Sequence, residues 1–166
     1  MKKLALSTLV LLSIVAAQAP QAQPPRPPLV ACEAGKNVPC VVLATNPADI
    51  AGVWKQYQSN PAFAPQGGMG YIRYNPDGSF VLGATPEGTR TPTAPFPSGT
   101  FRFEGSRMIL EVKGVPPNMP ECARAVHEVR VLRVGNQPVA LSFTPIEDTC
   151  KPRLSDLGQA VIFIGR

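Results

Sequence analysis

Few of the residues that carry enzyme chemistry are present: across 166 residues there is one histidine, His127, and one tryptophan, Trp54. A zinc site needs several Cys or His ligands at short spacing, and the four cysteines include no C-x-x-C pair. No Ser or Cys stands at a telling distance from His127, and Glu147 and Asp148 are adjacent rather than spaced as an acid and a base. Gly67-Gly68-Met69-Gly70 opens no helix, so it reads as a loop and not as a phosphate cradle. Charge is also scarce, at 16% of residues against roughly 25% in an average soluble protein. The net charge of +5 includes Lys2 and Lys3 near the start, and the rest of the basic residues are scattered singly. That distribution lacks the basic stripe with interleaved aromatics of a nucleic-acid binder. Long amphipathic helical patterns are missing too, which argues against the α/β enzyme classes. The expectation is a single domain with no enzyme activity and no cofactor.

What is present begins with a leader. Met1-Lys2-Lys3 is a positive n-region, Leu4 to Ala16 is apolar, and small residues follow, so residues 1–17 read as a secretory signal peptide cut after Ala17. Cleavage after Ala19 is the other option, but it would place Pro20 first. The apolar run falls short of the ~20 residues of a membrane-spanning helix, and no later run is longer. Leu29-Val30-Ala31-Cys32 matches a lipobox, yet the polar, Pro-rich residues 18–28 separate it from the apolar run, against acylation of Cys32. A soluble periplasmic or secreted protein is expected. Residues 18–45 hold six of the 20 prolines and read as a polyproline II spacer without sheet or helix.

From residue 46 the other prolines punctuate the chain. Proline cannot donate to a ladder, so strands lie in the gaps between prolines. Eight gaps qualify: 52–58, 70–75, 79–85, 99–104, 107–113, 126–134, 137–144 and 160–165. Asn46-Pro47-Ala48-Asp49 predicts a short helical turn before the first. The Asn75-Pro76-Asp77-Gly78 turn sets Tyr74 opposite Phe80 and Ile72 opposite Leu82. Gly105-Ser106 sets Phe103 opposite Met108, Phe101 opposite Leu110 and Gly99 opposite Val112. A hairpin centred on Asn136 pairs Val131 with Leu141 and Val129 with Phe143 inside, and Arg130 with Ser142 and Glu128 with Thr144 outside. A slip of one residue would mix the faces. Arg102, Glu104, Ile109 and Glu111 are expected mostly outside, and the last strand is apolar on both faces, as a strand covered on both or one that seals the sheet edge would be. Consecutive strands on tight turns predict an all-β fold, an eight-stranded antiparallel up-and-down barrel over residues 46–166, with a β-sandwich as the alternative.

Export implies disulfides. The last hairpin's register places Cys122 opposite Cys150, which leaves Cys32 with Cys40.

Gly52-Val53-Trp54 resembles the G-x-W motif that opens lipocalins and the wider calycin barrels, and Arg166 ends the last strand where lipocalins place an arginine that stacks on this Trp. The chain is similar in more places to small exported bacterial lipocalin-like proteins. The shared motifs are Gly52/Trp54, Tyr71 to Tyr74, Pro76-Asp77-Gly78, Gly99-Thr100-Phe101-Arg102, Pro120-Glu121-Cys122 and Glu147 to Arg153. The resemblance spans residues 49–166 and implies a barrel closed by Trp54 and Arg166, with a binding role for a small molecule.

The inward set is Trp54, Ile72, Tyr74, Phe80, Leu82, Phe101, Phe103, Met108, Leu110, Val129, Val131, Leu141 and Phe143. Such an interior is either filled or holds one small apolar ligand. For the second case the candidate lining residues are Tyr74, Phe80, Phe101, Phe103, Met108, His127 and Phe143, with entry past the 59–69 and 86–98 loops. His127 shares the inward parity of Val129 and Val131, either lining the barrel mouth or sitting as a satisfied strand-end histidine, and Asp148 with Arg153 is a candidate ion pair beside the disulfide. Two functions follow: an exported binding protein for a small hydrophobic molecule, or a protein-interaction module, such as a protease inhibitor, with a filled barrel.

Overall fold

The computed structural model describes residues 30–33, 35–59 and 68–166. The leader, residues 18–29 and 34 of the linker, and residues 60–67 of the first loop lie outside them.

Nine strands form one sheet: β1 (Pro39–Leu43), β2 (Gly52–Tyr57), β3 (Met69–Tyr74), β4 (Ser79–Gly83), β5 (Ser98–Glu104), β6 (Arg107–Lys113), β7 (Arg124–Val134), β8 (Gln137–Glu147) and β9 (Val161–Gly165). From β2 onward each strand is antiparallel to the next, and β9 returns to β2, closing an eight-stranded barrel. Closure removes the free sheet edges that an open meander would leave. This architecture is consistent with a calycin-like fold and sets aside the sandwich.

The tight-turn registers are as the sequence predicts. Tyr74 faces Phe80, Phe101 faces Leu110, Val131 faces Leu141 and Val129 faces Phe143. The last hairpin carries shifts next to Arg133 and next to His127, so β7 and β8 bend where they pass the two ends of the barrel. The predicted turn before β2 is a 3-10 turn at Pro47–Asp49, where Asp49 accepts the Asn46 N–H at 3.1 Å. All thirteen residues of the expected inward set are buried in the core or packed against it.

One expectation is corrected and two are refined. Residues 18–45 do not all stay out of the sheet: β1 pairs with β7 from Pro39–Val134 to Leu43–Arg130, on the length of β7 that runs past its pairing with β6. Val41 N–H bonds Val30 C=O at 2.9 Å, and Cys32 is bridged to Cys40, so this end of the linker is fastened to the barrel. Proline stands only at the first position of β1, where it costs no interior ladder bond. Ile109, although on the outer face, is 4% exposed. Its neighbours by register are Arg102 on β5 and the buried Val126 on β7, flanked by ion-paired residues: Arg102 with Glu111, and Arg107 and Arg124 with Glu147. Of the two readings of the last strand, β9 is not covered on both faces, since Ile162 and Ile164 are 42% and 47% exposed, but it does seal the sheet edge by pairing with β2 and β8.

A short helix, α1 (Lys151–Leu157), was not legible; it contacts β2 and β8. β8 pairs with β9 at Ala140 and Leu141.

Candidate functional site

The two ends of the barrel differ because their connections do. At one end the links are the short turns at 75–78, 105–106 and 135–136; at the other they are the long segments 58–68, 84–97, 114–123 and 148–160. The short-turn end is filled. Trp54 is fully buried, donates its indole N–H to Ile50 C=O at 2.9 Å and meets Phe163 edge-on at 4.9 Å between centroids. Phe101 lies edge-on to Tyr74 and to Phe103, at 5.2 and 6.2 Å. Offset and edge-on contacts of this kind suit the aromatic quadrupole.

The long-loop end holds a cavity of about 700 Å³, within the range of small-molecule sites. Its apolar wall includes Ile72, Tyr74, Phe80, Leu82, Met108 and Phe143, and residues 92–98 and 113–116 form part of the mouth. The structure thus places five of the seven candidate lining residues, Tyr74, Phe80, Met108, His127 and Phe143, on the cavity. Phe101 and Phe103 are not on it; both belong to the filled end. Inward parity does not encode which residues reach the cavity: Tyr74, Phe80 and Met108 stand beside short turns and still line it, whereas Phe101 and Phe103 pack edge-on against each other.

Arg166 is exposed beyond β9, and the ring partner of Trp54 is Phe163. The closure that the resemblance assigns to arginine is made here by an aromatic edge.

The polar side of the cavity is organised by α1 and the Cys122–Cys150 disulfide, whose Cα atoms are 4.7 Å apart. Asp148, with a fully buried side chain, is the hub. Its Oδ2 takes Arg153 Nε at 2.7 Å and lies 2.8 Å from His127 Nε2; its Oδ1 takes Arg153 at 2.8 Å and the Cys150 N–H at 2.9 Å. Burial pushes this carboxyl upward, but the hydrogen bonds from His127, Arg153 and Cys150 with the Arg153 charge outweigh it and hold Asp148 well below the usual carboxylate range. Arg153 also donates to the C=O groups of Cys122 and Arg124, at 2.9 and 3.1 Å. The candidate Asp148–Arg153 pair is therefore present, and it ties the start of α1 to the base of β7. The partner of His127 had not been legible, because Asp148 comes from the far side of a hairpin.

His127 itself is fully buried, lines the cavity and meets Phe143 edge-on at 6.0 Å. Its Nδ1 makes no hydrogen bond among the described residues. Two residues missed by sequence reasoning join it on the lining: Gln56 and Gln58, 7% and 4% exposed. They continue the inward parity of Trp54, and that was the available signal. Gly70 gives Gln58 its place, since a Cβ there would lie 2.8 Å from Gln58 Cγ. Gln58 Nε2 likewise has no hydrogen-bond partner among the described residues. At the other end of α1, Asp156 accepts the Ser59 N–H at 2.6 Å, and burial raises its carboxyl above the ordinary value. Burial also raises the phenol of Tyr74, against the opposing charge of Arg153.

Among the described residues no group of three or more His, Cys, Asp or Glu is placed to hold a metal ion, and no helix is long and apolar enough to cross a membrane. What the site offers is a deep apolar chamber with a narrow band of buried polar atoms along α1. Comparison with protein-family models, curated proteins and solved structures finds no match to the chain.

Proposed function

We propose that this chain is an exported, lipocalin-like binding protein for a small apolar molecule, acting without a chemical step. The observation that carries the reading is the cavity of about 700 Å³ inside a closed barrel, walled by aliphatic and aromatic side chains. Burial of apolar surface is the dominant non-directional attraction in water, so such a chamber favours apolar guests of matching size. The two disulfides support an oxidising, exported setting, and the leader at residues 1–17 is part of the same proposal. The second reading, a protein-interaction module, draws on the exposed outer face of β9 at Ile162 and Ile164.

Titration of the purified, oxidised protein with N-phenyl-1-naphthylamine tests the first reading, beside native mass spectrometry of protein taken gently from its source. Saturable one-to-one fluorescence enhancement is expected, weakened at least tenfold by Val112→Trp, which adds bulk to the cavity wall. Absence of saturable binding together with absence of a retained small-molecule adduct would overturn it in favour of surface interaction.

A further inference from the structure

The cavity's polar band is not matched within the protein. Buried polar atoms in native folds are bonded in the large majority, because one left without a partner costs about 1–3 kcal/mol. Here two such atoms, His127 Nδ1 and Gln58 Nε2, sit on side chains that are 0% and 4% exposed and that both line the same cavity. We propose that the ligand of this cavity is an apolar molecule with a neutral hydroxyl head, and that His127 Nδ1 and Gln58 Nε2 receive that head. The inference rests on the binding reading above and specifies its ligand class.

The chemistry of the two atoms selects the head. His127 Nε2 lies 2.8 Å from the Asp148 carboxylate and donates to it, and in that tautomer Nδ1 is an acceptor. The charge of Asp148 is met at two points by Arg153, and within the triad His127 Nδ1 is the ring atom left without a partner. Gln58 Nε2 is a donor. The band therefore wants one group that donates at one end and accepts at the other. A hydroxyl does both. An ether or ketone answers only Gln58, an ammonium only His127, and a hydrocarbon neither. A carboxylate would answer Gln58 alone, and it would enter beside Asp156, whose carboxyl lines the same cavity at 8% exposure. Lys113, the remaining cation of the lining besides Arg153, is exposed at the mouth and lies at the end of β6, away from α1 in the chain.

The test displaces N-phenyl-1-naphthylamine from the full, oxidised chain with three probes of one length: n-decane, decan-1-ol and decanoate. A hydroxyl entering a cavity without partners would weaken binding on the order of tenfold relative to the alkane. Decan-1-ol binding at least as tightly as n-decane, with decanoate weaker than both, is the expected result. His127→Phe and Gln58→Leu should each shift the alcohol-to-alkane affinity ratio roughly tenfold toward the alkane. Gln58→Leu lies outside the Asp148 network and keeps the test decisive should His127→Phe fail to fold. A wild-type ratio favouring the alkane tenfold and unmoved by Gln58→Leu would overturn the head assignment while leaving the binding reading intact, and so would decanoate as the tightest probe. If neither naphthylamine nor n-decane binds, the binding reading falls and takes this inference with it.

Discussion

Asp148 shows how one residue acquires a role from partners distant in sequence. Its carboxylate collects a guanidinium, an imidazole N–H and a backbone N–H, which together overcome the cost of burying it. A carboxyl held below its ordinary value stabilises the fold at pH above the unfolded value of roughly 3.9, and that contribution is lost as pH falls toward the folded one. Asp148→Asn leaves Arg153 in its part-buried place without a counter-charge, so at pH 7 the variant should unfold more easily by about 3 kcal/mol. Urea melts of both proteins at pH 7 and pH 3 check this: the gap should narrow at the lower pH, and an equal gap at both would show that the charge is not its source. Of the residues in this cluster, the Asp148–Arg153 pairing was legible because five positions separate them. The His127 contact was not, because a pairing across the base of a hairpin depends on where the chain turns after the strand ends.

At the scale of elements, the hairpins were readable because turn residues and apolar alternation each fix a register, and here they agree. Tyr74–Phe80 and Phe101–Leu110 follow from counting out from Asn75-Pro76-Asp77-Gly78 and Gly105-Ser106. β1 was hidden by composition: the prolines around it signal spacer, and only the free edge of β7 turns Pro39–Leu43 into a strand. α1 spans seven residues, too few for a helical period to declare itself. Within these elements Gly99 is the tightest point. A Cβ there would collide with the Glu111 C=O on β6 and lie 2.7 Å from the Phe80 ring on β4. Gly99→Ala should therefore destabilise the fold by ~2–3 kcal/mol, against a few tenths for an unconstrained strand glycine. Thermal unfolding followed by far-UV circular dichroism reads the difference, and a melting temperature within 2 °C or so of wild type would show that the strands part to admit a methyl group.

For the whole molecule, two cross-links hold the chain at different places: Cys32–Cys40 fastens the linker to β1, and Cys122–Cys150 joins the approaches to β7 and α1 at the cavity mouth. Their loops span separations of 8 and 28 residues, and the longer loop restricts the unfolded chain more. Replacing Cys122 and Cys150 by Ala should lower stability by about 3–4 kcal/mol in urea melts, and replacing Cys32 and Cys40 by about 2 kcal/mol. The reverse order would place the main restraint in the N-terminal clamp. By itself the sequence determined the all-β class, the eight barrel strands, the inward faces and both cysteine pairings, because these depend on local turn chemistry and on a period of two residues along a strand. Only the tertiary structure decided that Phe163 rather than Arg166 meets Trp54, and which inward residues pack and which line the cavity. Those outcomes depend on strand stagger and on how much side-chain volume each level of the barrel receives. Neither is written in alternation along a single strand.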